Sequence, residues 1–194
     1  MGPLVIHTAA ARDVFAGFLG LWVAIELISQ IPIRRQRVSR TFDPTRLVVS
    51  ISLVIGFVLA FRAAEHRLWM FGGGWPSIAV GLAIAASGVA LRTWSIVTLG
   101  RFFTYDVTIQ PGHRVVTSGP YRWVRHPSYT GGLVGLLGLG VALGSAAAVL
   151  VLVVVPLVGL LIRIRHEERT LRTALGTEYD AYAAGRPRLL PGIW

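Results

Sequence analysis

The sequence predicts an all-helical integral membrane bundle of about five transmembrane helices, and three observations carry that prediction. Only 14% of the 194 residues are charged and 54% are hydrophobic, whereas ordinary soluble domains carry about a quarter charged residues. So few charges cannot coat a water-facing surface, and a mean hydropathy of +0.63 calls for lipid as the solvent of much of the chain. The apolar residues also gather into runs long enough for a hydrocarbon core of about 30 Å. Between those runs lie the basic side chains, all of them arginine apart from histidine, where they anchor against anionic lipid and set topology.

The first span runs from about Val14 to Ile33. It is long, lacks a basic start and ends in Ile31-Pro32-Ile33-Arg34-Arg35, so it does not read as a cleaved signal peptide. The second covers Leu47 to Ala63 and the third Ser77 to Leu99. The fourth, Tyr129 to Leu143, is short and reads as the first arm of a tight hairpin turning at Gly144-Ser145 into a fifth, Ala146 to Arg163. Pro156 within it either kinks the helix or is absorbed by its neighbours. Gly131, Gly135, Gly140 and Gly144 form two small-xxx-small pairs suited to close helix packing in lipid. Glu26 and Arg92 reach similar depth in spans one and three, so a buried ion pair is expected. Residues Tyr179 to Trp194 alternate aromatics, arginines and apolar residues and read as an interfacial tail with Trp194 at headgroup level.

Arginine counts give the orientation. Arg34, Arg35, Arg37, Arg40 and Arg46, then Arg101, Arg114, Arg122 and Arg125, then Arg165, Arg169, Arg172, Arg186 and Arg188 fall on one side; the other holds little beyond Arg12, Arg62 and Arg67. The amino terminus is therefore expected outside and the carboxy terminus in the cytoplasm. The lack of lysine reflects genome composition and points to a bacterial inner membrane. With net charge +10 spent on membrane anchoring, nucleic acid is not an expected partner. Cysteine is absent, which excludes disulfides, thiolate metal sites and cysteine nucleophiles; no metal is expected. Gly72-Gly73-Gly74 falls in a loop rather than between a strand and a helix, so no soluble-type nucleotide fingerprint is present.

The most informative stretch runs from Gly119 to Gly131, Gly-Pro-Tyr-Arg-Trp-Val-Arg-His-Pro-Ser-Tyr-Thr-Gly. It sets two arginines, Arg122 and Arg125, a histidine and aromatics at the mouth of an apolar run, a costly arrangement unless something charged binds there. Pro127 biases His126 away from helix and makes the turn into span four sharp. Beyond the hairpin come Glu167-Glu168, then Tyr179 and Tyr182, then Arg186-Pro187-Arg188-Leu189-Leu190-Pro191. Arg163 lies one turn before Glu167 on the same helix face; Arg165 and Arg169 flank that face and read as lipid-facing charges.

In order and spacing these motifs, over about the last 85 residues, resemble the isoprenylcysteine carboxyl methyltransferase and phospholipid methyltransferase superfamily. The resemblance implies one integral-membrane domain over residues 1–194: three amino-terminal spans in 1–100, then a cofactor loop, helical hairpin and cytoplasmic tail in 101–194. It implies S-adenosyl-L-methionine as cofactor, bound on the cytoplasmic side under the tail, and a lipophilic acceptor reaching the site from the bilayer. By position, the cofactor pocket would use His113, Val115, Val116, Gly119, Tyr121, His126, Pro127, Tyr129 and Glu167, with Glu168 beside them. Those residue types suit the cofactor: carboxylates for ammonium and ribose diol, imidazole or guanidinium for carboxylate, and aromatic faces for a sulfonium.

The expected reaction is in-line methyl transfer, with Arg125 and Arg163 orienting a carboxylate acceptor that needs no base. An amine would need its proton removed, for which Glu168 or a tyrosine is the candidate. Carboxyl O-methylation is therefore favoured over methylation of a phospholipid, other lipophilic amine or thiol. Membrane sterol reductases resemble this superfamily in the Arg-His-Pro-x-Tyr block and use a nicotinamide cofactor, but they are longer, and Glu167-Glu168 would repel a phosphate. A non-enzymatic scaffold or channel would leave the motif without a purpose.

Overall fold

The structure, a computed structural model, describes residues 3–29 and 43–190. The described helices are α1 (Leu4–His7), α2 (Ala9–Ser29), α3 (Pro44–Glu65), α4 (Trp75–Leu99), α5 (Pro127–Ala142), α6 (Ala146–Leu175) and α7 (Thr177–Ala184), with 3-10 turns at Gly100–Phe102 and Gly119–Arg122. Among the described residues no strand forms beyond a single antiparallel bridge between Met70 and Ser145. Arg34, Arg35, Arg37, Arg40, the Ile33 end of span one, Pro191 and Trp194 lie outside the described residues.

Local chemistry sets the helix starts. Asp43 accepts the Thr45 N–H at 2.9 Å and Pro44 follows at the first turn, where its missing N–H costs nothing. Ser145 caps α6 by accepting the Ala148 N–H at 3.1 Å, and Pro127 opens α5. The hairpin between α5 and α6 turns where expected: Gly144 has φ +68 and lies against the backbone of Gly72 and Gly73, where a Cβ would collide. Its carbonyl accepts the Phe71 N–H at 3.0 Å, tying the α3–α4 loop to the hairpin.

Glycine then lets the helices meet backbone to backbone. A methyl at Gly81 would strike Ala142, one at Gly88 would strike Gly131 and Gly135, and one at Gly138 would strike Ala85. The α4–α5 contact is thus a dispersion-dominated seam of the kind lipid-embedded helices use. Gly140 instead meets Val149 of α6. Pro156 needs no kinked neighbour, because its ring rests against Gly56 of α3. Below the site, Phe15, Ala60, Leu139 and Leu152 close a core that is almost solvent-free. The outward faces of α2 and α3, including Leu21, Ile28, Ile51, Val54 and Val58, are exposed and apolar, as lipid contact demands.

Every span differs in length from its sequence expectation. α2 begins at Ala9, α3 runs three residues further toward the amino terminus, and α6 continues twelve residues past Arg163. Among the described residues, three helices are long and apolar enough to cross a membrane: α3, α4 with its 3-10 extension, and α6. The other two expected spans fall short of that measure within the described residues, for two reasons. α2 carries Arg12, Asp13 and Glu26, and the 16 residues of α5 span only about 24 Å.

Glu26 and Arg92 do pair. Arg92 Nε donates to Glu26 Oε2 at 2.9 Å, its Nη2 donates to the other oxygen, and Nη1 donates to Ser128 Oγ at 2.9 Å. Tyr105 Oη donates to Glu26 at 2.7 Å. Removing either charge leaves the other half-buried beside an apolar cavity, which costs at most about 3–5 kcal/mol. We therefore expect Glu26→Gln and Arg92→Gln each to lower the thermal midpoint in detergent, with the double variant recovering most of the loss. A double variant as unstable as the sum of the singles would rule out a structural pair.

Candidate active site

The segment after α4 leaves the helix at the Gly100–Phe102 turn and crosses the end of the bundle before re-entering at α5. Gly119, at φ +56, starts the second 3-10 turn against Thr98. That turn buries Tyr121, whose carbonyl accepts the Tyr182 hydroxyl at 3.0 Å. His126 takes φ −124 and Pro127 begins α5 directly behind it, the sharp turn expected of a residue before proline. The tail then straps this turn in place. Arg125 N–H donates to Pro187 O and His126 N–H to Arg188 O, both at 2.9 Å, and Thr130 Oγ1 donates to Leu189 O at 2.6 Å.

The two glutamates of α6 part company. Glu168, only 2% exposed, points behind the turn. It accepts from Arg125 Nη1 at 2.7 Å and from Arg188 Nε at 3.1 Å, and it lies 3.3 Å from His126 Nε2. Glu167 lies on the cavity side, accepts the Tyr129 hydroxyl at 2.6 Å and stands 3.9 Å from His126 Nδ1. Tyr129 stacks on the His126 ring with centroids 5.5 Å apart, and its oxygen accepts from Arg163 Nε at 2.9 Å. Arg163 and Glu167 share a helix face as expected, yet the contact runs through Tyr129.

Arg163 is held by residues that sequence reasoning did not single out. Its Nη1 donates to Asp43 Oδ2 at 3.3 Å and Thr45 Oγ1 at 3.4 Å, and its Nη2 donates to the Tyr105 carbonyl. The cap signature of Asp43-Pro44 before an apolar run was the available signal, though it announces a helix start and not an arginine partner. Burial alone would raise the Asp43 carboxyl. Hydrogen bonds from Thr45 and the Val107 N–H, with the Arg163 charge, outweigh that and hold it below the usual range.

A cavity of about 900 Å³, open to solvent, lies against this cluster. His113, Val115 and Val116 line it from the crossing segment; Tyr121, Arg125, His126 and Tyr129 line it from the turn into α5; Arg163 and Glu167 line it from α6. Tyr179 and Tyr182 close it from α7. Of the tail aromatics within the described residues, Tyr179 and Tyr182 are turned inward and buried, and the Tyr182–Tyr121 hydrogen bond draws Tyr182 onto the turn. Gly119, Pro127 and Glu168 do not reach the wall; they shape the turn from behind. Arg165 and Arg169 are exposed.

Among the described residues, three buried side-chain polar atoms lack a hydrogen-bond partner: His113 Nδ1, Arg125 Nε and Tyr179 Oη. All three residues line this one cavity. Buried polar atoms are rarely left unpaired, and three on the wall of one cavity suit it to a polar ligand. Burial lowers the His113 imidazole against the opposing charge of Glu167, which keeps it neutral and able to both accept and donate. Burial, and after it the glutamate charges, raises the Tyr121 and Tyr179 phenols, so both remain O–H donors.

A second cavity, open at its mouth and about 1350 Å³ with that open space included, lies on the other side of the same wall. Its lining is mostly apolar, including Trp22, Leu53, Phe57, Leu136, Pro156 and Leu160, with Glu26 and Arg92 at one end. Phe103, Thr104, Tyr129 and Arg163 border both cavities.

Comparison with known proteins gives a consistent set of likenesses. The model of the isoprenylcysteine carboxyl methyltransferase (ICMT) family matches residues 79–173. Protein-S-isoprenylcysteine O-methyltransferase B of Arabidopsis thaliana is 28% identical over 175 residues, covering 89% of this chain and 85% of the relative. The probable protein-S-isoprenylcysteine O-methyltransferase of Oryza sativa subsp. indica is 35% identical over 153 residues, covering 73% and 80%. The solved structure of the eukaryotic intramembrane Ras methyltransferase ICMT superposes with a TM-score of 0.72 at 22% identity, over 98% of this chain and 71% of that one. At that identity the likeness concerns the fold.

Proposed function

The chain belongs to the isoprenylcysteine carboxyl methyltransferase family, and we propose that it transfers a methyl group from S-adenosyl-L-methionine to a carboxylate on a lipophilic acceptor. One observation carries the proposal: a cavity that holds the unpaired polar groups and a second, more apolar cavity meet at a shared wall of Tyr129 and Arg163. A water-soluble donor and a membrane-soluble acceptor require such a junction.

The polar cavity suits the cofactor. His113, Arg125 and Tyr179 offer the unpartnered polar atoms, Glu167 offers a carboxylate for the ammonium or ribose, and Tyr121 and Tyr182 offer aromatic faces. The bound cofactor would supply an electrophilic methyl on its sulfonium. The rest is positioning by the protein. Arg163 has five N–H donors, and four hydrogen bonds engage it with Tyr129, Asp43, Thr45 and the Tyr105 carbonyl. The donor that remains can hold an acceptor carboxylate at the junction. A carboxylate is already ionised at neutral pH, so no base is required, and Glu168, locked between Arg125, Arg188 and His126, supports the turn. Closure by α7 would exclude water.

We assign the site to the cytoplasmic face, where the arginine-rich loops place it and where the cofactor is made, with residues 1–194 working as one domain. Calorimetric titration of the detergent-purified protein with S-adenosylhomocysteine, with NADPH in parallel, tests the reading. We expect the former to bind and the latter not. Tyr179→Phe and His113→Phe should each weaken binding roughly tenfold, the worth of a hydrogen bond of about 1.4 kcal/mol. Binding of NADPH alone would move the chain to a reductase chemistry.

A further inference from the structure

α5 carries five glycines, and four of them are explained by packing: Gly131 lies on Arg92 and Gly88, Gly135 on the indole of Trp22, Gly138 on Ala85 and Gly140 on Val149. Gly132 is different. A Cβ built there meets nothing within 4 Å, and its backbone is ordinary helix, so neither packing nor conformation calls for glycine. Glycine in a helix interior is destabilising relative to alanine. Yet Gly132 borders the apolar cavity one turn beyond Tyr129, the residue at the junction.

The cavity beyond it has a closed end. Leu136 lies seven residues past Tyr129, about 10 Å deeper, and Phe57 eleven residues past Arg46, about 16 Å along α3. One turn further on each helix stand Phe15, Ala60, Leu139 and Leu152, each 3% exposed or less. There the rings of Phe15 and Phe61 meet edge to face at 6.0 Å and join α2 to α3.

We propose that Gly132 is a specificity-determining residue for the acceptor. The space its absent side chain leaves is the passage by which one hydrocarbon tail runs from the Tyr129–Arg163 junction into the blind apolar cavity. This rests on the reading of a lipophilic acceptor given above and adds where its tail lies and what limits it. A methyl at position 132 would enter the passage without touching the rest of the protein, and a larger side chain would fill more of it, so its size should tune which tails are accepted.

The test uses the full chain in detergent and N-acetylcysteine bearing S-geranyl, S-farnesyl or S-geranylgeranyl tails. We expect Gly132→Ala to reduce kcat/KM modestly and Gly132→Leu to reduce it at least about tenfold, the scale on which apolar pockets reject a misfit. The loss should be larger for the longer tails, with S-adenosylhomocysteine affinity unchanged. An unaltered tail preference in Gly132→Leu overturns the proposal; if that variant no longer binds S-adenosylhomocysteine, the tail preference of Gly132→Ala decides in the same way. Binding is read separately with a long-chain carboxylic acid carrying a diazirine near its tail end, mapped by mass spectrometry. Crosslinks at Trp22 or Phe57 that Gly132→Leu abolishes support the passage even where no acceptor is methylated, an outcome that would refute the proposed reaction alone. Crosslinks that survive Gly132→Leu refute the passage.

Discussion

Glu168→Gln is expected to lower both the thermal midpoint and cofactor affinity, while Glu167→Gln lowers cofactor affinity and leaves the midpoint nearly unchanged. Glu168 is the common acceptor for Arg125 and Arg188 and touches His126, at 2% exposure. Neutralising it leaves two guanidinium groups facing each other in a poorly solvated place, a loss of about 3–5 kcal/mol. Because the tail is strapped to the same turn through Pro187 and Arg188, the wall that carries His126 and Tyr129 loosens with it. A fall in S-adenosylhomocysteine affinity of roughly a hundredfold would follow from even 2.7 kcal/mol of lost preorganisation. Glu167 has a half-open side chain and one hydroxyl partner that a glutamine oxygen can keep. Differential scanning fluorimetry with calorimetry on both variants separates them. Equal midpoints would refute Glu168 as the support of the turn.

Arg163→Lys should retain cofactor binding and lose methyl transfer by about a hundredfold or more. A lysine keeps the charge but has one nitrogen with three donors. It cannot satisfy Asp43, the Tyr105 carbonyl and Tyr129 together and still present a donor at the junction. Loss of one aligned donor at a reacting centre costs on the order of a hundred- to a thousandfold in rate. The check is single-turnover transfer of a radiolabelled methyl to S-farnesyl N-acetylcysteine, with S-adenosylhomocysteine titration in parallel. Asp43→Asn should lower the same rate by a smaller factor, since it acts through Arg163. Activity of Arg163→Lys within a few fold of the parent would make Arg163 a structural residue only.

Much of this architecture was legible in the sequence because lipid acts on each residue in turn. Long apolar runs marked α3, α4 and α6, and Gly144-Ser145 marked the hairpin, since a left-handed residue and a capping hydroxyl declare themselves locally. The Arg-His-Pro-x-Tyr block marked a stretch whose Arg125, His126 and Tyr129 line one cavity, and the intramembrane charges Glu26 and Arg92 announced each other because neither survives alone in hydrocarbon. The helix-face argument for Arg163 and Glu167 was sound in geometry and incomplete in chemistry, for Tyr129 stands between them.

Tertiary structure alone decided the division of labour. Two adjacent glutamates stand about 100° apart round one helix, and only the arrival of Arg188 from the tail and Arg125 from the turn makes one of them a support. Asp43 finds Arg163 across 120 residues, and Tyr105 holds Arg163 by its carbonyl and Glu26 by its hydroxyl. Hydropathy is a property of each residue against its solvent, so sequence by itself determined a membrane-embedded helical chain with a polar block at one end of it. Hydrogen bonds and ion pairs depend on distances between residues far apart in the chain, so which charges are buried, which atoms remain free, and how two cavities come to share a wall were decided by the fold.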